Sequence, residues 1–376
     1  MKRLMSAALW LAFAFVPAWG QIRNITINTS SEPGKLLQQA ADEKDSNKKI
    51  ALYEEFLSKF PSDEAEAYVH FQLQNEYLKV NNFDKSLEHG QAAQAKAPED
   101  LEIAHFLVKA AEGKGDAQAL VAAVEKAHAL AQKVSATPKP SQENEVEAWK
   151  RNTDFAGQVD QYNEYALYES SQKQTSPQAK IVLFDALRKY FPNGQFSKSL
   201  DAQYVVAYQK LGDNQKMLEA MEAALATDPT NEGYLYLIAE NNMDPAKGKL
   251  GVAQANAEKI LQTLPGKPKP AAMSEEEWTK YKENYLGRAH FVLGRIFAEQ
   301  NKFGPAQKEL LAAASALKGN NDVLGGVYYF LGLSSAKLNR QAEAVNYLTQ
   351  SSKIPGPYQA YAADTLKKIR AALAGR

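Results

Sequence analysis

Cysteine is missing from the chain altogether, which excludes a disulfide framework, a thiolate zinc site, an iron–sulfur cluster and a cysteine nucleophile. Net charge is missing too. The 44 lysines and arginines balance 44 aspartates and glutamates, a poor composition for tracking nucleic-acid phosphates. Histidine is scarce, with only His70, His89, His105, His128 and His290, and none pair at the spacing of helical metal ligands. His70 and His105 stand 35 residues apart and could lie on neighbouring elements. No Gly-x-Ser-x-Gly elbow is present, and Gly113-Lys114-Gly115-Asp116 reads as a turn between helices, not as a phosphate loop. Carboxylates such as Glu275-Glu276-Glu277 and Asp63-Glu64 read as solvated helix faces. No cofactor and no metal are expected.

Long apolar runs are also lacking. Lys2 and Arg3 precede a run from Leu4 to Val16, too short to span a bilayer of roughly 30 Å. With small residues at Ala18 and Gly20, the pattern predicts a secretory signal cleaved after about Gly20. An uncleaved anchor is the alternative, and the lack of cysteine excludes a lipid-anchored one. Removing Lys2 and Arg3 from 44 basic residues leaves 42 against 44 acidic ones. The expected product is periplasmic or secreted, with no integral membrane segment in the mature chain. Residues 21–33 are polar and aperiodic, and read as a flexible leader.

What is present is helix. From Leu36 onward apolar residues recur every three or four positions among Ala, Leu, Glu, Lys and Gln. Phe60-Pro61, Ala97-Pro98, Phe191-Pro192, Asp228-Pro229 and Leu264-Pro265 close helical stretches, because proline cannot continue them. The intervals 61–98, 192–229 and 229–265 are 37, 37 and 36 residues, a stacked-repeat period. An apolar skeleton returns with it, as in Leu293-Gly294, Phe297, Phe303, Ala306, Leu310 and Leu331-Gly332, Ser335, Gln341, Ala344, Leu348. Short turns part the helices of a pair at Val80-Asn81-Asn82, Lys114-Gly115-Asp116, Leu211-Gly212-Asp213, Asn301-Lys302 and Leu338-Asn339.

A larger duplication overlies the small one. Pro138-Lys139-Pro140 with Trp149 and Pro268-Lys269-Pro270 with Trp278 are offset by 129 or 130 residues. These segments read as semi-rigid linkers at 135–144 and 266–273. They divide the chain into helical blocks 34–134, 145–265 and 274–376. Ser274 and Glu277 have capping-box spacing, and the last helix, with Lys367, Lys368 and Arg370, reads as a polar cap.

These repeats resemble the tetratricopeptide family, most closely at 67–98, 198–229 and 287–354, with departures at Gln74, Val108 and 231–264. The resemblance implies an all-α, right-handed α-solenoid of about seven or eight antiparallel helix pairs plus a capping helix. It also implies that first-helix positions contact extended protein or peptide segments. Carried onto this chain, those positions are Phe71 and Asn75, His105 and Lys109, Tyr165 and Glu169, Phe291 and Arg295, and Tyr329 and Leu333. The rings would form pockets for a partner, or would simply pack against neighbouring helices. A terminal-carboxylate clamp is matched in part: Asn75 and Lys109 fit, whereas Phe71 and His105 stand where lysine is expected. Segments 53–61 and 184–192 are similar to repeats of bacterial envelope proteins. The function implied is an exported, non-enzymatic scaffold. A helical-toroid polysaccharide hydrolase is the alternative.

Overall fold

The computed structural model describes residues 27–374 of the chain. The predicted signal segment and residues 21–26 of the predicted leader lie outside them. Seventeen α-helices and no strand occur among the described residues, as an all-α solenoid of eight successive pairs and a final helix requires. Two compact units divide between Leu200 and Asp201. Each Pro-Lys-Pro segment lies inside a unit, so the unit boundary and the linker positions do not coincide.

The first unit holds α1 (Glu32–Asp42), α2 (Ser46–Lys59), α3 (Glu66–Lys79), α4 (Phe83–Lys96), α5 (Leu101–Lys114), α6 (Ala117–Ser135), α7 (Glu143–Lys173) and α8 (Pro177–Tyr190). Successive helices pack on one another, and α3, α5 and α7 also touch in a separate layer. The leader is shorter than its polarity suggests. Ile27 packs on the core formed by Leu37, Tyr53, Phe56 and Val69, and the Ser31 hydroxyl accepts from Gly34 N at 3.1 Å to start α1.

The second unit holds α9 (Leu200–Leu211), α10 (Asn214–Ala224), α11 (Glu232–Asn241), α12 (Leu250–Thr263), α13 (Glu275–Glu299), α14 (Phe303–Ala316), α15 (Asn321–Lys337), α16 (Gln341–Ser351) and α17 (Gln359–Ala374). Here α11, α13, α15 and α17 form the second layer of contacts. One core runs from Leu235 through Trp278, Val292 and Leu310 to Leu331. The divergent segment 231–264 enters it fully, since Ala253, Ala257, Ile260 and Leu264 are buried there. In α17, Ala362 and Leu366 are buried against Leu348, while Lys367, Lys368 and Arg370 face water.

Local chemistry sets the ends of the helices. Every predicted intra-pair turn contains a left-handed residue: Asn81, Gly115, Gly212, Asn301 and Asn339 have φ of 57°, 76°, 70°, 59° and 60°. After α3, α13 and α15 the asparagine is followed by a backbone bond reaching five residues back. These run from Asn82 N to Tyr77 O, Lys302 N to Phe297 O and Arg340 N to Ser335 O, at 2.9, 2.8 and 2.8 Å. The Ser274–Glu277 capping box forms in both directions.

Both Pro-Lys-Pro segments are tied down. Trp149 Nε1 donates to Thr137 O at 2.8 Å. Lys267 donates to the buried Glu232 carboxylate at 2.7 Å, and Lys269 to Met273 O at 2.7 Å.

One register position controls how closely paired helices approach. A Cβ on Gly294 of α13 would lie 2.6 Å from Leu310 Cγ and 3.2 Å from Leu310 N. A Cβ on Gly332 of α15 would meet Leu348 at 2.6 and 3.3 Å in the same way. Gln74 occupies that position in α3, and there the small residue has moved to the partner helix. A Cβ on Gly90 of α4 would lie 2.4 Å from Gln74 Nε2. The Gln74 amide, fully buried, donates onward to Ile103 O at 3.0 Å, linking α3 to α5. In α7 the position is Tyr168, whose ring stacks on Phe196 at 4.0 Å.

Asn163 of α7 is fully buried, and neither amide atom has a hydrogen-bond partner among the described residues. Its register equivalents are the apolar Val69, Ile103, Ala289 and Val327, all fully buried.

Two stability experiments follow from this packing. Gly294→Ala is expected to destabilise the chain by about 1–3 kcal/mol through overpacking, although alanine is intrinsically the better helix former. Gly157→Ala, in open space within α7, should instead stabilise by up to about 1 kcal/mol. Urea unfolding of both variants checks the contrast, and equal effects would refute the close contact. Asn163→Val should raise the unfolding free energy by about 1–3 kcal/mol, and with it the midpoint, because it removes buried polar atoms without partners among the described residues. A lowered midpoint would show that the amide is satisfied.

Candidate functional site: the first-helix layer

The close-contact position fixes the rotation of α3, α13 and α15, and α5 keeps the same register with the buried Val108. The residue three places before it, where the sequence suggested a binding ring, therefore turns toward the neighbouring first helix. In the first unit Phe71 is buried, with Phe106 of α5 at 6.0 Å. His105 is buried between Phe155 and Tyr162 of α7, both edge-on at 6.0 and 5.0 Å. In the second unit Phe291 is buried, with Phe330 of α15 at 6.3 Å. These three rings are spent on packing between helices, so they are not open pockets. Tyr329 is half-buried, 5.5 Å from Tyr358, and Tyr165 is 46% exposed.

The residues one place after the close contact sit at the edge of the layer, all half-buried: Asn75, Lys109, Glu169, Arg295 and Leu333. Asn75 Nδ2 donates to Phe71 O at 3.3 Å, a bond within its own helix. The Lys109 ammonium rests over Phe106 and Tyr162, 5.5 and 5.4 Å from their centroids. Glu169 lies 3.9 Å from Lys173. The Tyr162 hydroxyl donates to Glu112, and burial followed by that carboxylate pushes its pKa up.

The second unit carries an aromatic ladder that the sequence reading did not assign. Tyr281 donates to Glu232 at 2.6 Å and packs on Tyr285 at 4.8 Å. Arg288 lies over Tyr236 at 5.0 Å, donates to its hydroxyl at 3.0 Å, and donates to Asn284 at 3.1 Å. Tyr236 in turn donates to Glu240 at 2.6 Å. Arg295 lies 5.6 Å from the Phe330 centroid and donates to the Tyr358 hydroxyl at 3.3 Å. Its Nε is buried without a partner among the described residues. Tyr361, 64% exposed, stands 6.4 Å from Tyr329. The signal was present in the sequence as Tyr281, Tyr285, Arg288 and Arg295 on one long helix, at successive spacings of four, three and seven.

His70 and His105 lie on neighbouring first helices, α3 and α5, as expected. His70 does not meet His105. Its Nδ1 lies 2.9 Å from Nδ1 of His89, whose Nε2 is 3.1 Å from Glu54. A carboxylate only accepts, so His89 carries its proton on Nε2 and His70 donates from Nδ1. Tyr77 donates to the same Glu54 oxygen at 2.9 Å. Burial lowers both histidine pKa values, and for His70 the neighbouring His89 lowers it further. His290 pairs with Glu309 at 2.7 Å, and Tyr328 stacks on Tyr347 at 6.3 Å. All three contacts join residues 19 apart on the two helices of a pair. His128 pairs with Asp160 at 2.9 Å. Among the described residues no group of three or more His, Asp or Glu side chains is placed to hold a metal ion. No helix among them is long and apolar enough to cross a membrane.

Residues 203–231, spanning most of α9, all of α10 and the turn beyond, match the tetratricopeptide repeat family model. No curated protein matches the chain. Among solved structures, similarity extends to the Cut9–Hcn1 hetero-tetramer of APC/C, at 14% identity and a TM-score of 0.34, over 93% of this chain. This chain spans 65% of the length of that one. The P58(IPK) tetratricopeptide domain gives 12% identity and 0.29, over 92% of this chain and 99% of the other. Yeast Tom70 gives 10% and 0.23, over 92% and 97%.

His105 gives this layer a pH signature. Burial, with the Lys109 charge adding to it, holds its pKa down at about 4 against an ordinary 6.5. The unfolded chain therefore takes up the proton first as pH falls. Stability is full above about 6.5 and declines toward about 4, by up to about 3 kcal/mol. Unfolding of the wild type and of His105→Phe at pH 7.5 and pH 4.5 should show a shallower loss in the variant. Equal losses would mean that His105 protonates in place.

Proposed function

We propose that the chain is an exported scaffold that binds segments of other proteins on the first-helix faces of its units, and that it binds without catalysing a reaction. The carrying observation is the common register of Asn75, Lys109, Glu169, Arg295 and Leu333. Each follows the close-packing position of its helix, and each is left half-buried at the edge of the layer. Mostly polar groups repeated at that spacing on packed helices suit an extended partner, whose side chains also repeat. The tetratricopeptide match at 203–231 supports a protein-binding role. The apolar run before Pro17 supports export, and the likeness of segments 53–61 and 184–192 supports a bacterial envelope.

Fractionation with N-terminal sequencing tests the compartment. A mature chain starting near Gln21 outside the cytoplasm is expected, and a cytoplasmic chain retaining Met1 would refute export. Crosslinking and capture from envelope extract tests the surface. Substituting Lys109→Glu, Arg295→Glu and Tyr329→Ala together should abolish partner capture while the helical circular dichroism is retained. A folded triple variant that keeps every partner would exclude this face.

A further inference from the structure

Arg288 and Arg295 lie seven residues apart on α13, two turns along one face. At 1.5 Å per residue they are separated by about 10.5 Å along the axis. The hydrogen bonds they donate go to Asn284, Tyr236 and Tyr358, none of them a carboxylate. Both guanidiniums are held by aromatic rings, which fixes their positions while leaving charge for a ligand. Glu240 accepts from the Tyr236 hydroxyl that Arg288 also reaches, and Glu240 and Glu299 stand near enough to act on Tyr358, but neither guanidinium is paired directly with a carboxylate among the described residues. Beside Arg295, Tyr329 and Tyr361 form a half-open aromatic pair reached through Tyr358.

Resting on the protein-binding reading above, we infer that this face of the second unit takes an acidic, proline-containing extended segment of a partner protein, with carboxylates at every third residue. The spacing suits that conformation; a helix with carboxylates at i and i+7 would span it as well, and the Tyr329–Tyr361 ring pair favours the proline-containing chain. A polyproline II chain rises about 3.1 Å per residue with three residues per turn, so its positions i and i+3 share one side about 9.3 Å apart. A β-strand repeats one side every second residue, at about 6.6 or 13 Å, and misses the arginine pair. Carboxylates at i and i+3 then meet Arg295 and Arg288 in forked hydrogen bonds. The prolines between them pack on Tyr329 and Tyr361, as extended proline-rich segments pack on aromatic grooves.

Fluorescence polarisation with the purified chain tests this, using labelled 13-residue peptides. One repeats Glu-Pro-Pro, one has the same composition with the glutamates in a block, and one repeats Gln-Pro-Pro. A helical peptide with glutamates at i and i+7 completes the set. The Glu-Pro-Pro peptide should bind roughly tenfold or more tighter than the other three and weaken with salt. Arg288→Gln and Arg295→Gln should each cost about tenfold, and Tyr361→Ala, at an exposed position, several-fold. If an Arg→Gln variant fails to fold, Arg→Lys keeps the charge but loses the fork, and a clear loss of affinity is again expected. Equal binding of the blocked, neutral or helical peptide overturns the register, as does full affinity in the folded variants. If these arms fail while capture from envelope extract still depends on Lys109, Arg295 and Tyr329, only the acidic register falls. If capture fails as well, the scaffold reading falls with it.

Discussion

In three of the helix pairs, α3–α4, α13–α14 and α15–α16, the helices come into close contact where one of them gives up a side chain, and much of the structure follows from that contact. Gly294 receives Leu310, Gly332 receives Leu348, and Gln74 is received by Gly90, each sixteen residues apart. The third case is instructive because the sizes are exchanged between helices while the fit is kept. Val108 and Val124, both fully buried, hold the same two positions in α5 and α6. Packing at interior density tolerates such exchanges provided the summed volume is kept.

Once that contact is set, the rotation of the first helix is no longer free. The residue three places earlier is driven against the next first helix, and the residue one place later is left at the edge. Phe71, His105 and Phe291 thus stiffen the stack, and Asn75, Lys109 and Arg295 border its open face. The same rotation aligns residues 19 apart across the pair, as His70 with His89, His290 with Glu309, and Tyr328 with Tyr347. Rigidity and a periodic polar edge are therefore products of one constraint. A rigid edge lowers the ordering cost of binding, which suits the role proposed for it.

Much of the fold was legible in the sequence because its signals are local. The turns at Asn81, Gly115, Gly212, Asn301 and Asn339, the capping box at Ser274, and the glycines at 294 and 332 act within one turn or one helix pair. Two kinds of feature were not legible. The first is burial set by a third helix. Nothing in the residues around His105 says that Phe155 and Tyr162, fifty or more positions later, enclose it. The second is the compensated exchange, where Gln74 looked like a departure until Gly90 was seen opposite. The Pro-Lys-Pro segments show the same limit. Their composition suggested spacers, but Trp149 and Glu232 hold them from a distance. In the candidate site, the sequence left open whether the rings form pockets or pack, and it is burial by the neighbouring helix that places Phe71, His105 and Phe291 among the packed ones.

In the proposed role, partners bind at the edge of the first-helix layer. Photo-crosslinking in living cells tests it directly, with a benzophenone amino acid placed at one position at a time. Residues Lys109, Tyr165 and Tyr361 sample the first-helix layer, and Lys126 and Leu311 sample the exposed faces of second helices. The account predicts covalent adducts with other proteins from the first three positions and none from the last two. Adducts confined to Lys126 and Leu311 would contradict it.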